Sequence, residues 1–136
     1  MEGSSMEFAE GFFRSNYKII ILGDGGVGKT ALIQNLLGEK FTKSYLLTIG
    51  CDISTYKYDH DGQILSLQLW DLAGQQRFNV VRNLYYGGAR AAIFVFDLTR
   101  PESFLNLEKW KDELFFHVGR KVPIILLGNK SDLNSS

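Results

Sequence analysis

From Tyr17 onward the chain alternates short apolar runs with amphipathic stretches. Tyr17-Lys18-Ile19-Ile20-Ile21-Leu22 is a β-branched run halted by Gly23, which predicts a strand. Thr30 to Leu37 then reads as a helix that ends near Gly38. Ile53 to Tyr58 and Ile64 to Trp70 each alternate apolar and polar residues. The turn residues Asp59-His60-Asp61-Gly62 lie between them, so the two pair as an antiparallel hairpin. Ala91 to Phe96 and Val122 to Leu127 are unbroken apolar runs, as in strands buried on both faces. Between those runs Phe104, Leu107, Trp110 and Leu114 share one helical face, read as core. Thr99 and Glu102 have the spacing of a capping box at that helix's start.

Strand alternating with helix predicts an α/β fold: three layers around a mostly parallel sheet with one antiparallel hairpin edge. Ligands of such sheets bind at the carboxyl ends of the strands, so chemistry is expected just after Leu22, Trp70, Phe96 and Leu127. Residues 1–16 show no clear period and read as a flexible leader, with Phe8, Phe12 and Phe13 scattered through it. Residues 17–136 read as one domain. Composition narrows the partners. A formal net charge of +0 argues against a generally basic nucleic-acid binder. Cys51, the single cysteine, permits no internal disulfide and fits a reducing compartment and a small core residue. No apolar run approaches the roughly 20 residues of a membrane span, and no signal peptide is evident. The expected location is cytoplasmic, with membranes reached only through partners.

The first strand runs into Gly23-Asp24-Gly25-Gly26-Val27-Gly28-Lys29-Thr30, which fits G-x-x-x-x-G-K-[ST] between a strand and a helix. Glycines let the backbone wrap phosphate oxygens, and loop amides plus a helix N-terminus favour negative charge. Lys29 is expected to reach the β- and γ-phosphates and the Thr30 hydroxyl to bind Mg²⁺. The second hairpin strand ends in Asp71-Leu72-Ala73-Gly74-Gln75. There Asp71 can hold the magnesium through water, the Gly74 amide can meet the γ-phosphate, and Gln75 can orient an attacking water. Asn129-Lys130-Ser131-Asp132 follows the last apolar run. The Asp132 carboxylate can accept both N–H donors on guanine's edge, whereas adenine would leave it unpaired. Asn129 could bond the base's other edge, while the Lys130 stem covers the ring.

Together these elements resemble the Ras superfamily of small GTPases, and the Rab branch most closely, from about Tyr17 to Leu133. Trp70-Asp71-Leu72-Ala73-Gly74-Gln75-Gln76-Arg77-Phe78, Leu84-Tyr85-Tyr86-Gly87-Gly88-Ala89 and Glu102-Ser103-Phe104 look like Rab sequence. The resemblance implies a P-loop NTPase of the small G-domain type, without the usual last strand and helix. It places switch I at Thr48-Ile49-Gly50, with Thr48 on Mg²⁺ and Phe41 against the guanine. It implies a nucleotide held by Gly25, Gly26, Val27, Gly28, Lys29, Thr30, Ala31, Phe41, Thr48, Gly74, Asn129, Lys130 and Asp132. Thr30, Thr48 and Asp71 would serve the metal, and Gln75 and Lys29 catalysis. Effectors, exchange factors and GTPase-activating proteins would dock on switch regions at about 41–50 and 71–86.

Only Asn134, Ser135 and Ser136 follow Leu133, so the sequence reads as a fragment, as a truncated gene model, or as a form in which a partner or self-association covers surface that a final strand and helix would bury. No prenylatable cysteine or myristoylation start supports an autonomous membrane anchor. Switch I carries Lys43 but no arginine, and Arg77, Arg82 and Arg90 read as surface or switch-packing charges. Without a finger in cis, hydrolysis is expected on the order of 10⁻⁴ s⁻¹. His60 and His117 read as solvated. The expected function is a guanine-nucleotide switch that binds GTP or GDP with Mg²⁺ and slowly hydrolyses GTP. A non-hydrolysing interaction module that binds nucleotide weakly is the alternative.

Overall fold

The computed structural model describes residues 6–9, 12–72 and 79–129. One sheet of seven strands organises them: β1 (Met6–Ala9), β2 (Phe12–Leu22), β3 (Thr42–Leu46), β4 (Cys51–His60), β5 (Gln63–Leu72), β6 (Ala89–Asp97) and β7 (Ile124–Asn129). Their order is β3-β4-β5-β2-β6-β7, with β1 pairing β2 off that path. The pairs β2–β5, β2–β6 and β6–β7 are parallel, while β3–β4 and β4–β5 are antiparallel. This is the three-layer, mostly parallel α/β sheet with a hairpin edge that the pattern predicts.

Alternation along the central strands divides the core between two faces. Ile20 and Leu22 of β2 join Ala92 and Phe94 of β6 beneath α2 (Asn79–Tyr86) and α4 (Leu107–Val118), through Tyr85, Tyr86 and Leu114. Ile21 and Val95 face the other way, against Val27 and against Ile33 of α1 (Lys29–Leu37). Cys51 is buried in the first of these clusters, as expected.

Several boundaries move. β2 begins at Phe12 rather than Tyr17, because β5 offers a continuous parallel ladder from Phe13↔Gln63 to Ile21↔Asp71 that pairs those backbone groups. Strand structure therefore enters the stretch read as a leader, where β1 pairs antiparallel with the start of β2. The hairpin turn narrows to Asp61 and Gly62, whose φ values of 51° and 81° suit a two-residue type I′ connection.

The helix before β7 is broken. A short α3 (Pro101–Leu105) precedes α4, with Asn106 between them. Phe104 is therefore 48% exposed, set edge-on to Phe96, while Ser103 takes the buried position. The capping box does not form either. Arg100 is the N-cap, and the Thr99 hydroxyl donates instead to Asp97 Oδ1 at 2.6 Å.

Candidate phosphate-binding site

β2, β5, β6 and β7 all end on one side of the sheet, and the glycine loop after β2 lies there. A Cβ on Gly23 would sit 2.3 Å from the Val95 carbonyl oxygen, so only glycine fits where β2 leaves the sheet against β6. Gly26 and Gly28 adopt φ of 81° and 85°, and Val27 between them is fully buried. Gly28 caps α1 without any side-chain cap, and the first turn of α1 carries no acidic residue. Its orphan N–H groups and dipole are thus free of a competing carboxylate of the helix's own.

Side chains from distant elements fix this loop. Both carboxylate oxygens of Asp24 are engaged, by Asn106 Nδ2 at 2.6 Å and Trp110 Nε1 at 2.9 Å. Arg100 Nη1 donates to the Gly25 carbonyl at 3.2 Å, and Asn129 Nδ2 to the Val27 carbonyl at 2.9 Å. Lys29 Nζ folds back on the Gly23 carbonyl at 3.2 Å. In a trans peptide the N–H points opposite to the C=O. Holding the Gly25 and Val27 carbonyls outward therefore turns the Gly26 and Gly28 amides to the other side, where an anion would be met.

Asp71 closes the site from β5. It is 9% exposed, and its Oδ2 accepts the Thr30 hydroxyl at 2.8 Å. Burial pushes its carboxyl above the usual range and Asp52 adds to that, against the Thr30 hydrogen bond and the Lys29 ammonium. Burial likewise lowers the Lys29 ammonium, opposed by Asp71 and Asp24. Beside them a cavity of about 100 Å³ is lined by Thr30, Gln34, Lys43, Asp52, Ser54 and Asp71 among others. A hydroxyl and a buried carboxylate, both oxygen donors, fit a magnesium ion, which would offset the cost of charging Asp71.

The other expected residues are distributed unevenly. Ala31 follows Thr30 in the exposed first turn of α1. Thr48 is exposed in the turn between β3 and β4, where the Ile49 and Gly50 amides donate to the Leu46 carbonyl. Phe41 stacks on Tyr56 with centroids 5.2 Å apart and packs against the α1-side core. Gly74, Gln75, Lys130 and Asp132 lie outside the described residues. His117, read as solvated, instead stacks on Tyr86 at 5.0 Å and bonds Asn83 Oδ1 at 2.6 Å. Among the described residues no cluster of His, Cys, Asp and Glu forms a separate metal site, and no helix is long and apolar enough to cross a membrane.

Asp24, Arg100, Asn106 and Trp110 were not among the expected site residues. Trp110 reads as core from its spacing, and it does pack there, but its indole N–H is a donor that needs a partner when buried. That need was the available signal.

Comparison with known proteins agrees with this geometry. The Ras family model matches residues 18–136. The chain is 39% identical over 120 residues to Ras-related protein RABD2a of Arabidopsis thaliana, and equally to GTP-binding protein YPTM2 of Zea mays. Each match covers 88% of this chain and 59% of the relative, so the chain spans under two thirds of their length. With a matching family model over nearly its whole length and Rab-type relatives at this identity, the chain belongs to the Ras family.

Proposed function

We propose that this chain is a guanine-nucleotide switch that binds GTP or GDP with Mg²⁺ and hydrolyses GTP slowly, in the manner of Rab proteins acting in vesicle traffic. The observation that carries the proposal is the Thr30–Asp71 hydrogen bond of 2.8 Å beside a glycine loop that opens α1. It joins the end of β5 to the helix that begins at Lys29, as a metal-bridged phosphate site requires.

In this reading the Gly26 and Gly28 amides and the Lys29 ammonium receive the phosphates. Thr30 and Asp71 would hold the magnesium, which would supply positive charge against the phosphates. Asp132 would select guanine, and Asn129, which braces the loop through the Val27 carbonyl, would bond the base's other edge. Gln75 orients water on the γ-phosphorus. Thr48 lies exposed in its turn and Gly74 follows β5, so both would be drawn in by a γ-phosphate, reshaping about 41–50 and 71–86 for effectors, exchange factors and activators.

The nucleotide content of the purified chain tests this directly. About one guanine nucleotide per chain, lost on chelating Mg²⁺, is the expected result. A folded chain that retains none and binds none when GDP and Mg²⁺ are added would sink the proposal and leave the interaction module. Two variants refine it. Gln75→Leu should cut activator-stimulated hydrolysis by at least about 10², and Asp132→Asn should move preference from guanine toward xanthine nucleotides.

A further inference from the structure

We propose that β3 is a built-in competitor of the GTP-bound form: paired along β4 it keeps residues 42–46 on the sheet edge, and it must begin to leave that edge before Thr48 can meet a γ-phosphate. The inference rests on the reading of the site as a GTP site and adds the regulation of that site by the chain's own strand.

β3 lies at the end of the sheet and pairs with one neighbour, β4, in a continuous antiparallel register from Thr42↔Thr55 to Leu46↔Cys51. Thr42 through Tyr45 are exposed and Leu46 is half-buried, so the strand is held by its main-chain ladder far more than by burial. Ser44 Oγ adds a hydrogen bond to the Ile53 carbonyl at 3.4 Å. Just before the strand, Phe41 fastens its far end by stacking on Tyr56, with centroids 5.2 Å and ring planes 27° apart. An edge strand with so little buried surface can peel away without opening the core.

The near end carries Thr48. Residues 47–50 join β3 to β4, and the Ile49 and Gly50 amides donate to the Leu46 carbonyl at 3.3 and 2.9 Å. Ile49 and Cys51 are buried, so the β4 side of that connection is fixed in the core. Any displacement of Thr48 must then be taken up on the other side, at Leu46. Drawing Thr48 out of its turn therefore unpairs Leu46 first and opens the ladder from that end.

A ligand shifts such an equilibrium only by its difference in affinity for the two forms. GDP has no γ-phosphate and makes no demand on Thr48, so it binds with β3 docked. The apparent affinity for GTP is instead reduced by the fraction of chains in which the strand has opened. The hold of β3 on β4 thus sets the preference between the two nucleotides.

The register supplies the test. Leu46 lies directly opposite Cys51, the chain's single cysteine, so Leu46→Cys places two thiols within disulfide reach across an antiparallel pair. The full chain carrying this substitution is loaded with GDP or with a non-hydrolysable GTP analogue, each with Mg²⁺, and oxidised with copper phenanthroline. The disulfide should form at least about tenfold faster in the GDP-loaded chain. Once formed, it should weaken analogue binding about tenfold or more and change GDP affinity less than about threefold, and dithiothreitol should reverse the loss. Tyr56→Ala removes the ring on which Phe41 stacks and should act oppositely, raising the ratio of analogue to GDP affinity about threefold. Absence of the disulfide in the GDP-loaded chain overturns the proposal. So does a confirmed disulfide that leaves both affinities as in the reduced chain, or one that weakens both equally. If Leu46→Cys does not fold, Tyr56→Ala carries the comparison, and an unchanged ratio there overturns the proposal. A parent chain that binds neither nucleotide fails the reading of the site itself, a result distinct from binding without an effect of β3.

Discussion

Asp71 carries a charge that the folded chain would be easier without. Burial holds its carboxyl above the usual range even though Thr30 and Lys29 pull the other way. A raised folded value means that the folded state binds the proton more tightly than the unfolded one. Stability contributed by this group therefore falls as pH rises from the ordinary carboxylate range through the raised value, and the penalty is complete above it. Asp71→Asn should raise the melting temperature of the nucleotide-free chain at neutral pH by roughly 3 °C, about what 1 kcal/mol produces at this size. The gain should vanish below the ordinary carboxylate range. The same variant should lose the Mg²⁺-dependent tightening of nucleotide affinity. Melting curves with and without nucleotide, at several pH values, check all of this. A residue whose removal helps the empty fold and harms the loaded one is kept for its ligand.

At the scale of elements, α2 is tied to the sheet and to α4 by polar atoms. Its Tyr85 hydroxyl sits in the sheet, 2.6 Å from the Ile21 carbonyl and 2.7 Å from that of Trp70, and accepts the Ile21 N–H at 3.1 Å. Lys18 Nζ reaches the carbonyls of Leu84 and Gly87 at the helix's end and lies 3.7 Å from the centre of the Trp70 ring. Burial lowers that ammonium to about 8. Against α4, Arg82 pairs with Glu113, which also accepts the Tyr86 hydroxyl at 2.6 Å. Tyr85→Phe should cost about 2 kcal/mol, because it strips buried backbone groups of a partner and restores none; chemical denaturation would measure it. Apolar spacing marks α1 and the apolar face of α4 but not α2, and it says nothing of the polar atoms that tie a helix down. The break at Asn106 escaped the periodic pattern for the same reason. Its amide is committed to Asp24, 82 positions earlier, and no local window spans that distance.

For the molecule as a whole, legibility follows the range of the interactions. The glycine loop, the hairpin and the buried strands are each specified by neighbours in sequence, so Gly23 through Thr30, a turn within Asp59 to Gly62 and Ala91 through Phe96 could be assigned before any coordinates. The arrangement of sheet and helices follows from their alternation. What the chain does not display locally is the set of distant donors on the loop: Arg100, Asn106, Trp110 and the second role of Asn129. Because those donors come from the loop after β6, the α3–α4 junction, α4 and β7, ligand at the loop should stabilise the whole sheet rather than one corner of it. GDP with Mg²⁺ at 100 times its dissociation constant should add about 2.7 kcal/mol, or roughly 10 °C in melting temperature. Hydrogen exchange should slow in β6 and β7 as well as in α1.

The first glycine of the loop leads to a last point. A side chain at Gly23 would drive into the Val95 backbone, with no flexible neighbour able to yield. In a genetic screen its substitutions should disappear through low protein abundance, whereas changes at Thr30 should leave well-expressed chains that do not signal. One short stretch of sequence would thus yield two kinds of dead allele, and only a paired readout of abundance and activity would separate scaffold from switch.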